Sequence, residues 1–191
     1  MCSREIVIAA LAVAVPACGN VASPPGATCG AVPVEVLADG SFEAATSWTQ
    51  APPMSGLICD SSQIMPTDGS HVACLGGTDG TIKTLSQQVP LPSGAKTATL
   101  SGQICVDTAE TQPVDHDTLD LDLVDDTMVV ASFGQYTNQP DHSPCVFMAF
   151  QKTAAVTGAP ATATLRIRST LDANLPTSFY LDALSLTVSC Q

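Results

Sequence analysis

With 191 residues and 45% hydrophobic content, the chain has room for a removable leader and one domain with a full core. Only 13% of the residues are charged, 18 acidic against 6 basic, and the net charge of −12 sets the protein against phosphate backbones and anionic membrane surfaces. Nucleic acid is excluded as a partner on that ground; divalent cations are the natural counter-charge, and the same carboxylates also serve plain solubility.

The first element is a leader. "MCSRE" is a short n-region with one arginine, and "IVIAALAVAV" gives ten apolar residues, right for a signal peptide and too short to span a bilayer as a helix. "VPAC" follows, with small Ala17 directly before Cys18. This resembles the lipobox of bacterial lipoproteins. The resemblance implies a signal peptide over 1–17 and a mature N-terminus at Cys18 carrying a diacylglycerol thioether and an amide-linked acyl chain. Two or more acyl chains hold a protein stably on a membrane, where one does not. "GNVASPPGATCG" then completes a flexible tether, so that 18–30 is lipidated cysteine plus tether and 31–191 is the folded body. Gly19 stands where an aspartate would signal inner-membrane retention, so the resemblance places the protein at the outer membrane or cell surface. Ordinary signal cleavage is the alternative, leaving a secreted protein. After Ala17 it would leave seven cysteines and one unpaired; after Ala22 it would leave six.

Beyond residue 30 the apolar residues alternate or cluster in short runs rich in Val, Ile, Thr and Leu, punctuated by Gly, Pro, Asn and Asp. Strands are expected near 33–37, 55–59, 71–75, 82–89, 96–106, 117–124, 127–133, 144–151, 162–169 and 178–189. Turn signals such as "PTDGS", "GGTDG", "PSGAK" and "NLPTS" lie between them. In "DTLDLDLVD", Leu119, Leu121 and Leu123 share one face while Asp120 and Asp122 share the other. In "TATLRIR", Leu165 and Ile167 point one way and Arg166 and Arg168 the other. Eight to ten strands without helices make an all-β sandwich or barrel.

Six cysteines fall in the body or at its edge: Cys29, Cys59, Cys74, Cys105, Cys145 and Cys190. None forms a C-x-x-C pair, and an even, widely spread set behind an export signal reads as disulfides. Fifteen connectivities are open. Cys29 with Cys190 would bracket the domain, Cys59 with Cys74 would clip a hairpin-length loop, and Cys105 with Cys145 would remain.

Several stretches resemble one family in order along the chain. "DGSFEAATSW" resembles the opening of galactose-binding-like, carbohydrate-binding-module-like jelly rolls. "LGGTDGTIKTLSQQVPLPSGAKTATLS" is similar to their middle section, "HDTLDLDLVDD" to a following strand and "LPTSFYLDALSL" to the closing one. Together they cover nearly all of 34–188. The resemblance implies a jelly-roll β-sandwich of two antiparallel sheets. It also implies one cofactor, a structural Ca²⁺ between the opening and closing strands. Its ligands would be Glu43 and Asp182, with backbone carbonyls near Ser41 and Ser70. Ca²⁺ takes six to eight hard oxygens, and two carboxylates sharing a buried place need a cation or hydrogen bonds. Ala183 and His116 depart from the family pattern. Separate, hydrogen-bonded carboxylates are the competing reading of Glu43 and Asp182.

Sugar recognition leans on aromatic faces and hydroxyl-bonding groups. Aromatics are only 4% of this chain, and Trp48 reads as core. Tyr136, in "GQYTNQPDH", is the candidate platform, with Asn138, Gln139 and Asp141 beside it as ligand-binding groups. His71, His116 and His142 lack H-x-x-x-H or H-E-x-x-H spacing, although His116 and His142 have Asp neighbours that a shared loop cluster could use. No G-x-S-x-G elbow or phosphate loop occurs, and the disulfides leave no cysteine for nucleophilic work. The sequence therefore reads as a non-catalytic envelope lipoprotein acting as a glycan-binding or Ca²⁺-stabilised ligand-binding module. The alternative is a structural lipoprotein that docks another envelope protein.

Overall fold

The computed structural model describes residues 32–60, 62, 64–77, 80–111, 114–139, 145–158 and 160–191. Strand β1 (Val34–Glu35) is followed by a short 3-10 turn (Ala45–Ser47), β2 (Thr49–Ala51), β3 (Ile58–Asp60) and β4 (His71–Gly76). Then come β5 (Ile82–Pro90), β6 (Thr97–Thr108), β7 (Thr118–Asp125) and β8 (Met128–Thr137). The last strands are β9 (Met148–Ala155), β10 (Thr162–Thr170) and β11 (Thr177–Ser189). They form two antiparallel sheets. One runs β3-β4-β11-β6-β9, with β1 also paired to β11, and the other runs β2-β5-β10-β7-β8. This is the expected disulfide-bonded jelly-roll sandwich. Eleven strands stand where eight to ten were expected, because the three-residue β2 carries no alternation long enough to read. The ninth strand starts later than expected, at Met148 rather than near 144.

The period-2 pattern explains the layers. Leu119, Leu121 and Leu123 of β7 and Leu165 and Ile167 of β10 are all fully buried, facing Leu100 and Ile104 of β6 and Phe179, Leu181 and Leu186 of β11. Asp122 on the outer face of β7 meets Arg166 of β10 at 2.9 Å, its register partner. Trp48 is core, as read. Its ring lies 5.1 Å from that of Phe42, and its indole N–H donates to the Asp39 carbonyl at 3.0 Å.

The first and last strands meet where the resemblance placed the calcium. Pairing of β11 with β6 shifts register between Asp182 and Ser185, and Ala183 in this bulge has a φ of 50°. Leu184 N–H donates to the Gly40 carbonyl at 2.8 Å, and a Cβ on Gly40 would run into the Leu184 carbonyl. Only glycine lets the opening turn lie this close to the bulge. Glu35 secures β1 to the same place, Oε1 accepting the Leu186 N–H at 3.0 Å and Oε2 the Ser185 hydroxyl.

Disulfides join Cys59 to Cys74 and Cys105 to Cys145. Cys190 is also disulfide-bonded. Its expected partner, Cys29, lies outside the described residues, as do the leader and Cys18.

Candidate functional site

Glu43 and Asp182 do come to one place, and what joins them is a loop. Residues 67–71 run between the two carboxylates. Asp182 Oδ2 accepts the Thr67 N–H at 2.6 Å, the Thr67 hydroxyl at 2.7 Å and the Asp68 N–H at 2.9 Å; Oδ1 accepts the Ala183 N–H at 2.7 Å. Glu43 Oε1 accepts the N–H groups of Ser70 at 2.7 Å and His71 at 2.8 Å, and Oε2 accepts the Ser70 hydroxyl at 2.8 Å. Gly69 sits at the tip with a φ of 69°, and a Cβ there would collide with the Glu43 carboxylate.

This donor set does not fit Ca²⁺. The ion needs oxygen lone pairs. Here Glu43 Oε1 and Asp182 Oδ2 already accept two and three donors, and the loop meets both carboxylates with N–H and hydroxyl donors where an ion would need further lone pairs. Ser70 contributes its N–H and hydroxyl where the sequence reading had its carbonyl, and Ser41, in the turn before Phe42, is not among the donors. The carboxylates are hydrogen-bonded clamps on a loop.

The Glu43 carboxyl is lowered from 4.5 to about 2, chiefly by the Ser70 N–H and then by the Ser70 hydroxyl and the His71 N–H and ring, against a smaller opposing effect of burial. A depressed carboxylate stabilises the fold above its unfolded value and loses that contribution as pH falls through the folded one. Wild type is therefore expected to surpass Glu43→Gln in urea midpoint at pH 6, and the gap is expected to close between pH 4.5 and about 2. Urea titrations of both proteins across that window check it; a gap independent of pH would show that the charge is idle.

The rim around Tyr136 is arranged differently from the sequence expectation. Tyr136 ends β8 half-buried, its ring edge-on to Phe150 of β9 at 5.8 Å, and burial raises its phenol pKa. Asn138 is fully buried. Its Oδ1 accepts the N–H groups of His116 at 2.8 Å and Asp117 at 3.2 Å, and its Nδ2 donates to the Val114 carbonyl at 3.0 Å. The amide is thus spent on holding the 114–117 loop and is not turned toward a ligand. Gln139 N–H donates to the Thr137 hydroxyl at 3.1 Å. Asp141 and His142 lie outside the described residues. His71 pairs with Glu43 and His116 with Asp172, each at 3.3 Å, and no group of three His, Cys, Asp or Glu side chains able to hold a metal occurs among the described residues.

Tyr180 is the aromatic that sequence reasoning passed over. In β11 it lies between buried Phe179 and Leu181, so it faces outward, half-exposed. Its register partners are Cys74 on β4 and Cys105 on β6, and cross-strand partners share a face. Both disulfides therefore flank it. Beside it lies a cavity of about 180 Å³ walled by Ser55, Cys59, Cys74, Lys83 and Ser178 as well as Tyr180. Lys83 Nζ donates to the Gly76 carbonyl at 2.6 Å, and the Ser55 hydroxyl is buried without a hydrogen-bond partner among the described residues. A more open depression lined by Asp107, Ala109 and Pro176 adjoins this cavity through Gly77 and Ser178. The alternation of "SFYLD" gives the outward direction of Tyr180; its neighbours depend on register, which sequence does not fix.

No family model matches the chain, and no curated protein matches it. Among solved structures it is similar to an arabinose-bound α-L-arabinofuranosidase, with 12% identity and a TM-score of 0.54 over 81% of this chain and 26% of that one. It is similar to the enzymatically active domain of tailspike protein 4 of bacteriophage CBA120, with 12% identity and a TM-score of 0.52 over 81% and 21%. It is also similar to the K1 cleaved adhesin domain of Lys-gingipain from Porphyromonas gingivalis W83, with 14% identity and a TM-score of 0.50 over 79% and 96%. The chain spans about a quarter and a fifth of the first two and nearly all of the third. At these identities the likeness is one of fold.

Proposed function

We propose that the chain is a non-catalytic, exported binding module of the cell envelope that recognises glycan and is held to the membrane by lipid on Cys18. The observation that carries this reading is the outer face of the β3-β4-β11-β6-β9 sheet. Two disulfides brace one half-exposed tyrosine there, beside a small cavity with polar walls. Disulfides persist in oxidising compartments, and a rigid aromatic among hydroxyl-bonding groups suits sugar. The likeness to an adhesin domain over nearly its whole length supports a binding role. Two measurements on the membrane-extracted full chain test the reading. Intact mass is expected to equal the chain from Cys18 onward plus diacylglycerol and one acyl group, and a glycan array is expected to return at least one binder. A mass without lipid removes the anchor, and a blank array removes the glycan.

A second reading, docking of another envelope protein, is favoured by Val146 and Met148. Val146, 62% exposed, lies just before β9 and Met148, 42% exposed, begins it, two residues from Phe150. It predicts that Met148→Lys abolishes co-purification of a partner while leaving the array unchanged.

A further inference from the structure

We propose that the loop end of the sandwich farthest from the tether docks a partner protein, one that presents lysine or arginine around apolar side chains. This rests on the docking reading, to which it gives a surface and a partner chemistry, and it is independent of the glycan reading.

Chain direction decides which end is free. Strand β1 enters beside the close of β11, with Val34 opposite Val188, while β11 begins at Thr177 at the other end of the same sheet. A tether leading to Cys18 leaves from the Val188 end, so the Thr177 end points away from the anchor. Loops 109–117 and 171–176 and the chain just before β5 meet at that far end.

Hydrogen bonds lace these segments into one rim. Leu171 N–H donates to the Thr81 carbonyl at 2.9 Å and Asp172 N–H to Asp117 Oδ1 at 2.9 Å. Leu175 N–H donates to Glu110 Oε1 at 3.3 Å and Ala109 N–H to the Pro176 carbonyl at 3.0 Å. Asp172 Oδ1 accepts the Asn174 N–H at 2.8 Å, which fixes the turn before Leu175. On this frame Ile82, Val114 and Leu175 are 53%, 51% and 43% exposed. Single apolar residues in water are ordinary; three held out on one braced rim gain by being covered.

Charge selects the cover. Asp107 and Asp115 are exposed on the same rim, and the Asp172 side chain is partly so. Among the described residues the basic groups there are Lys83 and His116, and both are engaged, Lys83 with the Gly76 carbonyl and His116 with Asp172. A second copy of the chain would set acid against acid, and the anchor keeps the membrane at the opposite end. The cover that fits is a protein surface whose apolar centre is ringed by cations.

The test uses the anchored full chain in its own cells. The photo-cross-linking amino acid p-benzoylphenylalanine is placed in turn at Leu175, Met148 and Met128, the last in the β7–β8 hairpin at the tether end. Leu175 is expected to give one discrete product and Met128 none. Mass-spectrometric sequencing of the joined segment is expected to find lysine or arginine among apolar residues of another protein. Asp115→Lys is expected to lower the Leu175 product about threefold or more, and Asp125→Lys, in the hairpin, to leave it unchanged. Both aspartates are exposed, so both variants are expected to keep the wild-type melting temperature. A product from Met148 without one from Leu175 overturns the rim and leaves the docking reading standing. No product from either overturns both. A joined segment without basic residues, one from a second copy of this chain, an equal product from Met128, or indifference to Asp115→Lys also overturns the rim.

Discussion

Asp182→Ala is expected to cost about 3 kcal/mol and lower the melting temperature by roughly 6–12 °C. The reasoning turns on burial. Asp182 and Glu43 each accept several donors from the same loop, but the Asp182 residue is fully buried, whereas the Glu43 side chain is 38% exposed. Water competes for the bonds to Glu43 and screens its charge, so Glu43 contributes the smaller share. The alanine leaves the Thr67 and Asp68 N–H groups without their acceptor, opens a void beside the bulge and frees the loop. Asp182→Asn is expected to fall about midway. Its one carbonyl oxygen can face the loop donors, but its NH₂ then meets the Ala183 N–H, donor against donor. Chemical denaturation of wild type, Asp182→Ala and Asp182→Asn, each in Ca²⁺ buffer and in EDTA, reads both effects. Equal stabilities would show that the loop is held by something other than Asp182.

The same comparison tests the donor-set argument against calcium. With the loop's N–H groups on the carboxylates, wild-type stability is expected to be the same in Ca²⁺ and in EDTA. A shift of several degrees would mean that the loop opens to admit the ion.

How much of this was legible in sequence follows from the range of each physical rule. Alternation is local, so the inward faces of β7 and β10 could be read, with Leu119, Leu121 and Leu123 on one and Leu165 and Ile167 on the other. The short β2 could not, because three residues with no buried member carry no period. Spacing suggested Cys59 with Cys74, and elimination left Cys105 with Cys145. The family pattern brought Glu43 and Asp182 together. It could not say whether carbonyls or N–H groups of the 67–71 loop would face them, since that depends on backbone torsions such as Gly69 at φ 69°. Polarity misled at Asn138. An amide in a polar stretch reads as surface, and only the fold shows it buried and spent on residues 114–117. Tyr180 was hidden for the opposite reason: its direction is local, but its neighbours come from β4 and β6, where its register partners Cys74 and Cys105 lie 106 and 75 residues earlier in sequence.

Removing the Cys105–Cys145 bridge as a double alanine variant is expected to cost about 4 kcal/mol, against about 3 kcal/mol for Cys59–Cys74, in the chain-entropy account. The first closes a sequence separation of 40 and the second of 15, and the cost grows with the logarithm of the loop. Burial widens the gap: Cys105 is fully buried in β6, so truncation there also leaves a void, while Cys59 retains some exposure on the edge strand β3. Function is expected to rank the two bridges the other way. Cys59 and Cys74 form part of the wall of the Tyr180 cavity, and Cys105 and Cys145 do not. The Cys105→Ala/Cys145→Ala protein is therefore expected to melt lower yet bind sugar at temperatures where it is folded. The Cys59→Ala/Cys74→Ala protein is expected to be the more stable of the two and to bind at least tenfold more weakly. Urea midpoints and glycoside titrations on the same preparations read both orders. If both bridges affect binding only in proportion to stability, the cavity wall has no special claim on the ligand.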